Sequence, residues 1–166
     1  MDKNRNSYEV AAIITNGSLM FTDEYTEIRG NVHITKELTF DGDVTIYGDV
    51  TADTIKVAGN MDVKGNLVAN VLEADGEVLV EKSARIADVC SESFYVKEDF
   101  ESTVEIETGI LMVGRNLKAF VVSLGNDENE KLEDVLVVDG KVCVEEAIYV
   151  NEEAEFISEE EIPLSE

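Results

Sequence analysis

The stretch Gly42-Asp43-Val44-Thr45-Ile46-Tyr47-Gly48-Asp49-Val50-Thr51-Ala52-Asp53-Thr54-Ile55-Lys56-Val57-Ala58-Gly59-Asn60 carries one full round of the pattern that decides the fold. Its apolar residues come in spaced pairs: Val44 and Ile46, Val50 and Ala52, Ile55 and Val57. One residue separates the members of each pair, which is strand alternation with both members on one face. The next rounds repeat it with Met61 and Val63, Leu67 and Ala69, Leu72 and Ala74, then Val78 and Val80, Ala84 and Ile86. Successive pairs begin six, six and five residues apart, so the unit is 17 residues long.

The glycines keep the same period. Gly42, Gly59 and Gly76 lie 17 apart, as do Gly48 and Gly65, and each is followed by Asp, Asn or Glu. Glycine supplies the positive φ of a sharp corner, and Asp or Asn bonds its own nearby backbone. Each unit therefore reads as three short strands joined by tight corners. A strand this short cannot bury its face alone, so successive units must stack, with their backbones paired at about 4.8 Å per coil. The expected fold is all-β: a single-stranded, three-sided β-helix of 17 residues per coil. A helix is disfavoured because this spacing scatters apolar residues around a 3.6-residue period. An antiparallel sandwich expects turn signals every 8–12 residues rather than every five or six.

Outside its clearest region the pattern continues upstream as Val32 and Ile34, then Leu38 and Phe40. Downstream it is read as Phe94 and Val96, Val104 and Ile106, Ile110 and Met112, Leu117 and Ala119. It returns after an acidic interruption as Leu136 and Val138, Val142 and Val144, Ile148 and Val150. The expected organisation is an N-terminal segment or cap over 1–25 and a solenoid core over 26–123. An acidic loop at 124–134, a terminal coil at 135–151 and an acidic tail at 152–166 follow.

The chain of 166 residues has a formal net charge of −24, and the excess is uneven. Residues 26–76 hold nine acids against four bases, whereas residues 124–166 hold fifteen against two. Such a charge repels nucleic acid and anionic membranes and favours cationic partners. The two cysteines, Cys90 and Cys143, form no metal-type spacing, and no signal peptide or membrane-length apolar run is visible, so a reduced, cytoplasmic setting is expected. Cys143 is expected to face outward. Cys90 is expected either buried or at a corner, and both thiols are expected to be inert.

The coils from Gly30-Asn31-Val32 to Val80, with phrases such as Asp41-Gly42-Asp43-Val44 and Lys64-Gly65-Asn66-Leu67, resemble the bactofilins. These are bacterial polymer-forming cytoskeletal proteins, and the resemblance covers residues 28–90. It implies a right-handed three-sided β-helix, filaments built by end-to-end stacking without nucleotide, and a cytoplasmic location often at the membrane. A cationic or apolar membrane-targeting N-terminus is not evident here. Physics points to self-association independently, because uncapped solenoid ends expose strand edges and an open core. Val32, Ile34, Leu38 and Phe40 are the candidate end-coil residues for that contact. Asp127, Glu128, Glu130, Glu145, Glu146, Glu152, Glu153 and Glu155 form the candidate acidic interaction surface.

No catalytic, cofactor or metal site is assigned from the sequence, and the chain is not expected to be an enzyme. His33, the one histidine, lies between Val32 and Ile34 and should point outward. Hexapeptide acyltransferases use a histidine on six-residue strands, but they pair aliphatic with small residues over 18-residue coils, unlike this 17-residue unit. No Ser-His-Asp or Cys-His set can be assembled. Asp127-Glu128-Asn129-Glu130-Lys131 lacks the glycine and oxygen spacing of an EF-hand, and Gly109 to Asn116 lacks a phosphate-loop ending. Two functions are carried forward, a self-associating structural solenoid and an acidic decoy that occupies a cationic protein surface, with a hexapeptide-type acyltransferase as the remote alternative.

Overall fold

The computed structural model describes residues 5–125 and 134–150, together with the backbone of a strand at 154–158. The strands in chain order are β1 (Arg5–Thr15), β2 (Leu19–Phe21), β3 (Tyr25–Ile34), β4 (Glu37–Phe40) and β5 (Asp43–Ile46). Next come β6 (Val50–Val57), β7 (Met61–Val63), β8 (Leu67–Ala74), β9 (Glu77–Val80) and β10 (Ala84–Val96). Finally there are β11 (Phe100–Val113), β12 (Leu117–Leu124), β13 (Asp134–Val138), β14 (Val142–Val150) and β15 (Ala154–Ser158). The chain winds as a β-solenoid of about seven turns with about 17 residues per turn. Among the described residues every strand pairing is parallel and joins one coil to the next.

The register resolves into three faces. On the first, Val32, Val50, Leu67, Ala84, Phe100, Leu117 and Val142 stand directly above one another. On the second, the column is Leu19, Leu38, Ile55, Leu72, Val89, Ile106, Val122 and Ile148. On the third it is Thr26, Val44, Met61, Val78, Phe94, Leu111 and Leu136. A second inward residue follows two places after each, except after Ile148, where Val150 is exposed. All sixteen residues of the pairs from Val44 to Ile86 are buried, as their alternation requires. Two stacked aromatic pairs lie in this core, Phe21 on Phe40 at 5.0 Å and Phe94 on Phe100 at 4.9 Å between centroids. Each fully buried aliphatic or aromatic side chain contributes about 1.5–3 kcal/mol, so the columns are the main source of stability.

The corners are held by a side-chain ladder. Asn31 Oδ1 accepts a hydrogen bond from the Asp49 backbone N–H (2.9 Å), and Asp49 Oδ1 accepts one from the Asn66 N–H (2.8 Å). Asn66 Oδ1 in turn accepts from the Ser83 N–H (3.2 Å). The ladder resumes at Asp99, which accepts from the Asn116 N–H, and Asn116 accepts from the Lys141 N–H. A parallel ladder at another corner runs from Asp43 to Asn60 to Glu77. The Asp and Asn side chains therefore bond the coil above rather than only their own turn.

This changes the reason for the corner glycines. Among the described residues positive φ occurs at Gly30 (154°) and Gly125 (111°) alone, so the repeated corner glycines do not serve a left-handed turn. They leave room for the ladder. A Cβ on Gly65 would lie 2.4 Å from Asp49 Oδ1 and 2.4 Å from the Gly48 carbonyl oxygen.

Three further readings of the sequence need correction. Val104 is not inward but 51% exposed, and it is Ile106 with Thr108 that enters the core. Ile110 and Met112 are replaced as the inward pair by Leu111 and Val113, both buried. The cause is polar residues at inward positions, which hide the alternation: Ser91, Ser102 and Thr108 are all buried. Ser102 Oγ donates to the Ala87 carbonyl (2.8 Å), and Ser91 Oγ donates to Thr108 Oγ1 (3.4 Å), so these hydroxyls are satisfied inside. In the terminal coil Val142 and Val144 are buried, while Val150 is exposed.

Candidate functional site: the coil ends and the acidic face

The N-terminal end lies one coil earlier than the sequence pattern suggests. Val32, Ile34, Leu38 and Phe40 are interior, because β1 pairs with the end of β3 (Ile13 with Val32, Thr15 with Ile34) and β2 with β4 (Leu19 with Leu38, Phe21 with Phe40). These four residues are covered on both axial sides and cannot form an end contact. The end is made instead by β1 and β2, each of which pairs on one side only among the described residues. Their inward side chains Tyr8, Ile13 and Leu19 are only partly buried. Ile14, 75% exposed, and Met20, 57% exposed, stand on the same strands. The carbonyls of Thr15, Gly17 and Phe21 accept hydrogen bonds from the following coil. Backbone groups alternate in direction along a paired strand, so those of Ile14 and Met20 face the open side. The six-residue step from Ile13 to Leu19 was the signal that would have placed this coil.

One corner of this end is fixed by charge. Glu27, nearly buried, accepts from Arg5 (3.1 Å) and Arg29 (3.0 Å). The two guanidinium groups lie over the rings of Tyr25 and Tyr47 at 4.7 and 4.5 Å. Arg5 thereby ties the first coil to the second.

At the other end β14 pairs with β12, and β15 stacks on β13, so part of the expected acidic tail continues the third face. Glu145 and Glu146 are exposed on β14. Asp127, Glu128, Glu130, Glu152 and Glu153 lie outside the described residues, and of Glu155 only the strand backbone is described.

A further acidic column lies on the second face. Asp88 stands directly beside Glu105, and Cys90 stands between Glu73 and Glu107. Like charges at neighbouring strand positions repel. Burial first, and then the carboxylates of Glu105 and Glu73, hold the Asp88 carboxyl above its ordinary value. Burial, Glu107 and Glu73 likewise push the Cys90 thiol up, which keeps it protonated and unreactive although it is exposed. Cys143 and His33 face outward, as alternation requires.

The raised Asp88 value means that the folded chain holds this proton more tightly than the unfolded one. Its contribution to stability is greatest in acid and is lost as pH rises through the folded value. Asp88→Asn is therefore expected to raise the melting temperature at neutral pH, with the gain vanishing as the buffer is taken below the ordinary carboxylate range. Thermal unfolding across that range measures it, and a gain independent of pH would refute the electrostatic cause.

The third face differs in its outward residues. Its outward column starts with Glu27, Thr45 and Asp62, and Asp62 accepts from Lys64 (2.8 Å). Beyond them the outward column becomes Leu79, Tyr95, Met112 and Val137. No family model, curated protein or solved structure matches the chain.

Proposed function

We propose that the chain is a non-enzymatic structural solenoid that self-associates through its N-terminal coil end, a scaffold of the kind the bactofilin resemblance implies. The observation that carries this reading is the edge formed by β1 and β2, which is open among the described residues. It presents backbone hydrogen-bonding groups on one side and the partly exposed Tyr8, Ile13 and Leu19 at the mouth of the core. An uncovered parallel edge with apolar residues behind it is a template for another strand. The acidic C-terminal quarter disfavours the same contact between two C-terminal ends, since fifteen acids there face two bases.

Sedimentation velocity over a range of concentrations tests the reading. The wild-type mass is expected to rise with concentration, whereas the double variant Ile14→Pro with Met20→Pro is expected to stay at the mass of one chain. Proline removes the outward N–H at each position and blocks an incoming strand, while edge positions tolerate it. Circular dichroism should show the β content retained. A wild-type chain that sediments as a monomer throughout would refute self-association, and a variant that assembles like wild type would refute the assignment of the end. The acidic column of Glu73, Asp88, Glu105 and Glu107 favours a second reading, a decoy for a cationic protein surface, and that reading expects a monomer at every concentration.

A further inference from the structure

Asn16-Gly17 is the one Asn-Gly step in the chain, and it forms the turn between the two edge strands β1 and β2. We propose that this turn is a self-modification site at which Asn16 converts to aspartate and isoaspartate without an enzyme. In the reaction the Gly17 backbone nitrogen loses its proton to solvent base and bonds to the Asn16 side-chain carbonyl carbon. The side-chain nitrogen takes a proton from solvent, its bond to that carbon breaks and ammonia leaves, giving a cyclic imide. Water then adds to either imide carbonyl and opens the ring, leaving a carboxylate in both products.

Four observations favour Asn16 over the corner asparagines Asn31, Asn66 and Asn116. Asn16 is exposed. The Gly17 nitrogen donates to no backbone carbonyl among the described residues. The nitrogens that follow Asn31, Asn66 and Asn116 are instead committed: Val32 to Asp49 (2.8 Å), Leu67 to Ser83 (3.0 Å) and Leu117 to Lys141 (2.9 Å). Those asparagines also precede bulky Val or Leu and use their own side-chain oxygens in the corner ladder. Finally, Thr35 Oγ1 donates to Asn16 Oδ1 (3.2 Å) from the next coil. That hydrogen bond withdraws electrons from the carbonyl under attack and stabilises the negative charge that develops on its oxygen. Thr35 is a positioning residue of the site. Each conversion adds a negative charge to the turn beside the open edge, and the isoaspartate product also lengthens the turn backbone.

Peptide mapping by mass spectrometry after prolonged incubation of the full chain at mildly alkaline pH tests the proposal. The peptide containing position 16 is expected to gain the mass of an amide-to-acid conversion and to split into two chromatographic species. The peptides of Asn31, Asn66 and Asn116 should stay unchanged. Gly17→Ala is expected to slow the conversion roughly tenfold, because a side chain hinders the ring closure that glycine permits. A Cβ at Gly17 meets nothing within 4 Å, so the fold is retained. Thr35→Val is expected to slow it severalfold, with Thr35→Ser restoring the wild-type rate. Absence of conversion at position 16, or conversion of Gly17→Ala at the wild-type rate, would overturn the site. Equal rates for Thr35→Val and wild type would overturn the role of Thr35.

Discussion

Leu111→Ala is expected to lower the unfolding free energy by about 2–5 kcal/mol, and Met112→Ala by less than about 1 kcal/mol. The two residues are adjacent in β11 and similar in size, and the apolar pattern of the sequence favours Met112 as the buried one. The register says otherwise. Leu111 is 0% exposed and stands between Phe94 and Leu136 in the inward column, whereas Met112 is 37% exposed in the outward one. Truncating Leu111 leaves a cavity bounded by two neighbouring coils, which cannot collapse without breaking their backbone pairing. Truncating Met112 removes a few surface contacts with Tyr95 and Val137 on either side. Urea unfolding of both variants measures the difference. A larger loss for Met112→Ala than for Leu111→Ala would show that β11 is set one residue out of register.

The same pair of residues shows what the sequence discloses and what it hides. The step from the third face to the first is six residues in every coil, as from Val44 to Val50, Phe94 to Phe100 and Leu136 to Val142. Wherever both inward residues are apolar, that step makes the core legible, as it does from Val44 to Ile86. It fails in β10 and β11, where Ser91, Ser102 and Thr108 occupy inward positions and no Asx-following glycine marks the corner. A buried hydroxyl that reaches a backbone carbonyl looks like a surface residue in any reading by hydrophobicity. The coil ends were hidden for a different reason. Whether a strand is the last one depends on the absence of a neighbour, and β1 carries a continuous apolar run, Val10 to Ile14, in which no inward pair stands out. The acidic column of Asp88 with Glu105, and Glu73 with Glu107, needed the coil-to-coil register before residues about 17 and 34 positions apart could be seen as neighbours.

Gly65→Ala is expected to destabilise the chain by about 2–4 kcal/mol, a fall of roughly 5–15 °C in melting temperature for a chain of this size. The new Cβ would meet Asp49 Oδ1 and the Gly48 carbonyl oxygen, both at 2.4 Å. The backbone oxygen cannot move aside, because the coil below is fixed by its own pairing. The Asp49 side chain can rotate, but only by abandoning the N–H of Asn66, which leaves a donor in the corner without its partner. Moving the corner outward instead separates Lys64-Gly65-Asn66 from the coils on both sides and weakens two interfaces at once. The lower conformational entropy that alanine gives the unfolded chain offsets less than about 1 kcal/mol of this. Gly17→Ala is the control, since it adds the same methyl at a turn with open space and is expected to leave the melting temperature nearly unchanged. If the two variants melt together, the corner glycines are not there to leave room for the ladder. If Gly65→Ala alone falls, the 17-residue spacing of glycine records the room that a stacked Asp or Asn requires.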